Sequence, residues 1–147
     1  MTVSVEALAK AVSARAAGAE VRLRRVPDIV SPEVMAKVHG WGECSKRMLA
    51  EYGAPTLADA EWADGIIFGT PTRFGNTSAE WKAFIDSLGS LWFQGKLNGK
   101  AAGFKATGRR TDRHRFPDRT PPADDIEVAK HQGARVTQVA AALKAAR

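Results

Sequence analysis

Gly65-Ile66-Ile67-Phe68-Gly69-Thr70 is a continuous apolar run that closes in small residues. A strand that is apolar at every position has no solvent face, so the run predicts a central parallel strand buried on both faces. Pro71 to Asn76 follows as a loop, and beyond it Trp81, Phe84, Ile85 and Leu88 recur at helical spacing until Gly89 marks the stop. Strand, loop and helix in that order open a crossover unit, because parallel strands need a long return connection. Residues 100 to 107 predict the returning strand, with Gly103 and Lys105 as its exceptions.

Toward the start of the chain, Val5, Leu8, Ala9, Val12 and Ala16 fall three and four residues apart before Gly18. They predict an amphipathic helix capped by Ser4. Glu20 to Val26 alternates, Val21 and Leu23 on one face and Arg22 and Arg24 on the other, and predicts a strand ended by Pro27. Residues 28 to 60 read as a loop region of weak helical pieces, with a short helix from about Thr56. Toward the other end, Arg109 to Pro122 is polar and aperiodic, whereas Asp125 to Arg147 carries Ile126, Ala129, Val136, Val139, Ala140 and Leu143 at helical spacing. The alternation of helix and strand predicts an α/β fold in a single domain, 1–147, with an irregular basic loop at 105–122.

With 44% hydrophobic and 26% charged residues the chain has a globular composition. Cys44 is the single cysteine and can form no internal disulfide, which fits a reducing compartment. No basic-then-apolar leader and no stretch of the ~20 apolar residues needed to span a bilayer is visible, so the expected location is cytoplasmic. His39, Glu43 and Cys44 lie close together without a fourth ligand nearby, and no metal is expected; His114 and His131 read as surface residues. The net charge of +6 is concentrated between Lys105 and Arg119, where six basic residues face Asp112 and Asp118. Such a stretch can neutralise nucleic-acid phosphates, but only Phe116 interleaves it, so a solvated loop is favoured over nucleic-acid binding.

Ligands of open parallel sheets bind at the carboxyl ends of the strands, where Thr72, Arg73, Phe74, Gly75 and Asn76 fall here. Glycine lets a backbone approach a flat ring, Pro71 limits the loop's motion, and free amides can pair with a polar ring edge. From local chemistry alone the same residues read equally well as an ordinary tight turn with Arg73 in solvent. Three runs in order, Gly65 to Asn76, Phe84 to Trp92 and Gly95 to Lys100, resemble the tryptophan-repressor-binding-protein family of NAD(P)H:quinone oxidoreductases. Val5 to Val12 resembles that family's first helix, and Glu127 to Gly133 the start of its last.

The resemblance implies a flavodoxin-like, doubly wound parallel sheet that binds FMN and passes two electrons from NADH or NADPH to a quinone. It implies that Thr72, Arg73 and Phe74 contact the flavin ring, with Gly75 and Asn76 in the same loop and Thr107 and Gly108 in the next one. It also implies Trp92 at the substrate pocket and a homotetramer. No catalytic acid or nucleophile is required, because the flavin carries the chemistry. The family's first strand and its fifth-strand region have no counterpart here, which implies a truncated sheet. It leaves only Thr2 and Ser4 to replace the hydroxyls of the phosphate loop. An incomplete or degenerate member, or a coding start placed downstream, accounts for that pattern. The alternative function is a non-catalytic remnant or assembly partner with weak or no FMN binding.

Overall fold

The computed structural model describes residues 3–16, 18–107 and 121–146, apart from the side chains at 3, 4, 106 and 107. Helix α1 spans Val3–Ala14; short α2, Pro32–Met35, precedes α3, Trp41–Tyr52, and α4, Leu57–Trp62. Strand β1, Gly65–Pro71, leads into α5, Ala79–Ser87, and α6, Gly89–Phe93; β2, Ala101–Thr107, and α7, Ala123–Ala145, complete the order. β1 and β2 pair in parallel from Gly65 opposite Ala101 to Pro71 opposite Thr107. Among the described residues this two-stranded sheet is the sheet, so the architecture is α/β with a small parallel sheet and helices against it.

Period-two alternation along β1 assigns its faces. Gly65, Ile67 and Gly69 face α1 and α7: a Cβ built at Gly65 would meet Ala140 at 3.1 Å, and one at Gly69 would meet Val5 at 3.4 Å. Ile66 faces the other way, packed with Phe84, Ile85 and Leu97 against Ala60, Leu88 and Leu91. Trp81 meets Phe68 and Phe104 edge-on, with ring centroids 5.8 and 5.4 Å apart. On the first face Leu8, Ala11 and Ala129 lock α1 to α7. Gly133 permits that crossing, since a Cβ there would lie 2.3 Å from the Val12 carbonyl oxygen.

Three expectations are corrected. Residues 28 to 60 hold the twelve-residue helix α3, whose Ser45 and Met48 are buried and whose Trp41 and Tyr52 continue the same stripe. Ser4 lies inside α1, not at its cap. Glu20 to Val26 forms no strand and so narrows the expected doubly wound sheet. It runs without turn or bend to Ile29, its Arg25 amide donating to the Gly53 carbonyl at 2.9 Å. A strand requires a ladder partner, and this segment is held by side chains instead. Arg24 grips Asp59 at 2.9 and 3.0 Å, Arg22 lies 3.8 Å over the Trp62 ring, and Arg25 meets Asp28 at 2.6 Å. Val21 and Leu23, together with Arg22, Arg24 and Arg25, line a cavity of about 830 Å³ whose lining also includes Ile67 and Phe68. For that reason β1 is half-buried along most of its length, not covered on both sides as its composition predicts.

Candidate functional site

The chain leaves β1 at Pro71 and folds back at once. The Arg73 amide donates to the Asn76 carbonyl at 2.7 Å and the Asn76 amide to the Arg73 carbonyl at 2.8 Å. Between them Phe74 has φ 49° and Gly75 φ 79°. Two successive positive φ values define a type I′ turn, which asparagine and glycine enter readily and an aromatic residue does not. Phe74 is also fully exposed, so nothing in the chain's own packing offsets its backbone strain. Among the described residues the amides of Phe74 and Gly75 have no acceptor, and the turn presents two free donors beside an unpacked ring.

The base of this loop is pinned by two hydroxyls. Thr70, 1% exposed, accepts from the Ser78 amide at 3.2 Å, and its Oγ1 lies 3.3 Å from the Ser78 Oγ. Ser78 in turn accepts from the Trp81 amide at 3.4 Å and caps α5. Strand end and helix start are thereby tied, and the loop between them is held at both feet. The sequence carried a signal for this pair: a serine directly before a helical apolar run is an N-cap pattern, and Thr70 ends the strand that precedes it.

Of the predicted site residues, Thr72 is half-buried and Arg73, Phe74, Gly75 and Asn76 are exposed. Thr107 ends β2 in register with Pro71, so it shares the carboxyl end of the sheet with the turn. Thr2 and Gly108 lie outside the described residues, as does 109–120 of the basic loop, including His114. Ser4 lies in the first turn of α1, whose Val5 lies over Gly69 near the same end of β1. Trp92 is exposed and lines a separate groove with Ile66, Phe68, Ile85 and Leu97, which none of residues 72–76 enters. Within one chain the turn and Trp92 are not brought together. No group of three or more His, Cys, Asp or Glu among the described residues could hold a metal ion.

Electrostatics at the start of α1 centre on Glu6, which is buried. Arg47 donates to it at 2.7 and 3.1 Å and the Tyr52 hydroxyl at 2.7 Å, while Lys10 lies 3.2 Å away. The Arg47 hydrogen bond, outweighing burial, holds the Glu6 carboxyl at about 2. The cations near the amino end of α1 are thus engaged by an internal acid, and the described residues offer no obvious phosphate hold there. Among the described residues the turn offers two amides beside an exposed ring, and the cations at the amino end of α1 are taken up by Glu6.

A two-stranded parallel α/β sheet with a strained ligand-type turn at its carboxyl end defines the class. The chain belongs to the NADPH-dependent FMN reductase family, whose model matches residues 4–116. It is 32% identical to NAD(P)H dehydrogenase (quinone) 3 of Rhizobium meliloti, over 97% of this chain and 89% of that protein. That alignment has 197 positions against a chain of 147 residues, so it bridges gaps in this chain. NAD(P)H dehydrogenase (quinone) of Geobacter sulfurreducens is 49% identical over 58% of this chain and 41% of its own length. The enzyme of the same name from Azorhizobium caulinodans is 44% identical over 70% of this chain and 50% of its own length. In these last two matches the chain spans half or less of the relative's length. Among the described residues no helix is long and apolar enough to cross a membrane.

Proposed function

We propose that the chain acts as an FMN-dependent NAD(P)H:quinone oxidoreductase of the tryptophan-repressor-binding-protein type, with a flavodoxin-like fold. The observation that carries this reading is Phe74: an exposed aromatic at φ 49° on a βα turn. Strained residues of this kind persist where function requires them, here to set a ring and two amides toward a flat ligand. The relatives named NAD(P)H dehydrogenase (quinone) support the same activity.

In this reading the amides of Phe74 and Gly75 donate to the polar edge of the flavin ring, and Thr72, Arg73 and Asn76 flank it. Thr70 and Ser78 keep the turn from collapsing, and Thr107 with Gly108 forms the neighbouring wall. When bound, FMN supplies hydride acceptance from NADH or NADPH and two-electron delivery to a quinone. The separation of Trp92 from the turn within one chain supports a homotetramer in which a second subunit brings such a residue to the pocket. Thr2 and Ser4 stand nearest in sequence to a phosphate-holding role. Protein that takes up added FMN and oxidises NADH or NADPH with a soluble benzoquinone meets the expectation. A colourless chain whose presence leaves FMN fluorescence unchanged overturns it.

A second reading rests on Glu6 and the open side of β1. An internal acid where a phosphate is wanted and an unfilled place beside the sheet favour a non-catalytic assembly partner with weak FMN binding. The same FMN titration separates the two.

A further inference from the structure

We propose that Arg73 and Lys105 form an anion site at the carboxyl end of the sheet that takes a phosphoryl group. This inference does not depend on flavin binding; it rests on how charge is distributed around the space beside β1. The basic side chains lining that space are Arg22, Arg24, Arg25, Arg73, Lys105 and Lys144. Arg22 and Arg24 reach Asp59 at 3.9 and 2.9 Å, Arg25 reaches Asp28 at 2.6 Å, and Lys144 reaches Asp64 at 2.8 Å. Arg73 and Lys105 alone have no acid to meet among the described residues.

The two free cations lie at one end of the sheet. Lys105 stands opposite Gly69 in the register of β1 and β2. It shares the face of Gly103, where a Cβ would meet Val136 of α7 at 3.0 Å. Arg73 follows Gly69 by four residues, at most about 14 Å along the chain, on the turn whose feet Thr70 and Ser78 tie together. Glu80 lines the same space. It sits in the first turn of α5, where the helix end itself favours a negative charge, so two cations stand against one acid. A lysine half-buried on a strand loses hydration without gaining an internal partner, a cost that a bound anion offsets.

The chemistry of the pair suits phosphate. A guanidinium is a flat fork that matches two oxygens at once, and an ammonium is a compact charge on a flexible stem. A phosphate ester carries roughly two negative charges at neutral pH, which two cations balance and a carboxylate leaves unbalanced. The carboxyl ends of parallel strands are where ligands of such sheets bind. Within the proposed function two compounds carry the group: FMN through its phosphate, and NADH or NADPH through the pyrophosphate.

The test titrates the full chain with inorganic pyrophosphate at low salt, by calorimetry and by thermal midpoint. The parent is expected to bind, with a raised midpoint. Arg73→Gln and Lys105→Met each weaken binding about tenfold, whereas Lys105→Arg, which keeps the charge, binds nearly as the parent does. Lys105→Met keeps the apolar stem and unfolds in urea at the parent's midpoint or above, so its loss of binding reports the site and not the fold. Lys82→Gln, which removes an exposed charge from α5, has no effect. A parent that binds no pyrophosphate overturns the proposal, as does binding that Arg73→Gln and Lys105→Met leave intact. An equal loss in Lys82→Gln also overturns it, because the attraction would then be one of net charge. Titrations with FMN, riboflavin and ADP name the source of the group. A preference for FMN over riboflavin that the two variants lose assigns the flavin phosphate; ADP binding that they lose, with FMN and riboflavin alike, assigns the dinucleotide. A chain that binds pyrophosphate and no flavin keeps this site and overturns the flavin reading alone.

Discussion

At the scale of single residues, the turn at 73–76 sets chemistry against stability. Phe74 sits at φ 49° with its ring in solvent, a backbone state that costs a side-chain-bearing residue about 1–2 kcal/mol. Asparagine tolerates that state and suits the first central position of a type I′ turn. Phe74→Asn is therefore expected to raise the unfolding free energy read by urea titration by about 0.5–1 kcal/mol, while weakening FMN binding about tenfold through the lost ring contact. A variant both stabler and equally able to bind FMN would remove the argument that strain is retained for the ligand. Ser78→Ala works in the opposite sense. It removes the α5 cap and the partner of buried Thr70, and is expected to cost about 1–2 kcal/mol in the same urea titration.

At the scale of elements, the α1–α7 crossing is the contact most sensitive to a single methyl group. A Cβ at Gly133 would stand 2.3 Å from a backbone oxygen of Val12, and backbone cannot rotate away as a side chain can. Gly133→Ala is expected to cost about 2–4 kcal/mol, read as a lowered thermal midpoint. Gly89→Ala has nothing within 4 Å and an ordinary helical backbone at the start of α6, so it should leave the midpoint unchanged or slightly raised. This scale also shows what the sequence could and could not disclose. The apolar run at 65–70, the helical stripe Trp81–Leu88 and the terminal helix were legible because burial writes directly into periodicity. The stripe Trp41, Ser45, Met48, Tyr52 was obscured by two polar or ambiguous positions out of four. Segment 20–26 alternates like a strand, yet pairing needs a neighbour at ~4.8 Å, and no local pattern reports whether one is there. In the site, the turn residues were readable as turn chemistry. The Thr70–Ser78 tie and the Glu6–Arg47 pair were harder to see because their members lie 8 and 41 residues apart.

At the scale of the whole molecule, half of the buried apolar side chains among the described residues are alanines, and a cavity of about 830 Å³ interrupts the packing. Burial energy scales with apolar area, at roughly 25 cal/mol per Å², so a core of this kind gives ion pairs between elements an unusually large share of the stability. Glu6 joins α1 to α3 through Arg47, and Asp59 joins α4 to segment 20–26 through Arg24. Hydrogen bonding to Arg47 holds the Glu6 carboxyl at about 2 against an ordinary 4.5. Hydrogen bonding to Arg24 holds Asp59 at about 2 against 3.8. Both folded-state values lie below the unfolded ones, so the unfolded chain binds more protons as the pH falls. The stabilisation is therefore fully present above about pH 5 and is lost between about pH 5 and pH 2. Solvent screening at the partly exposed arginines limits what each pair contributes. Urea titrations at pH 7, 5 and 3 should show little change over the first step and a fall over the second. Glu6→Gln should lower stability at pH 7 and flatten the later fall, because the group that titrates has been removed while its shape remains. If the Glu6→Gln chain loses as much between pH 5 and pH 3 as the parent does, the acid sensitivity lies elsewhere and Glu6 does not bind α1 to α3 in the manner described.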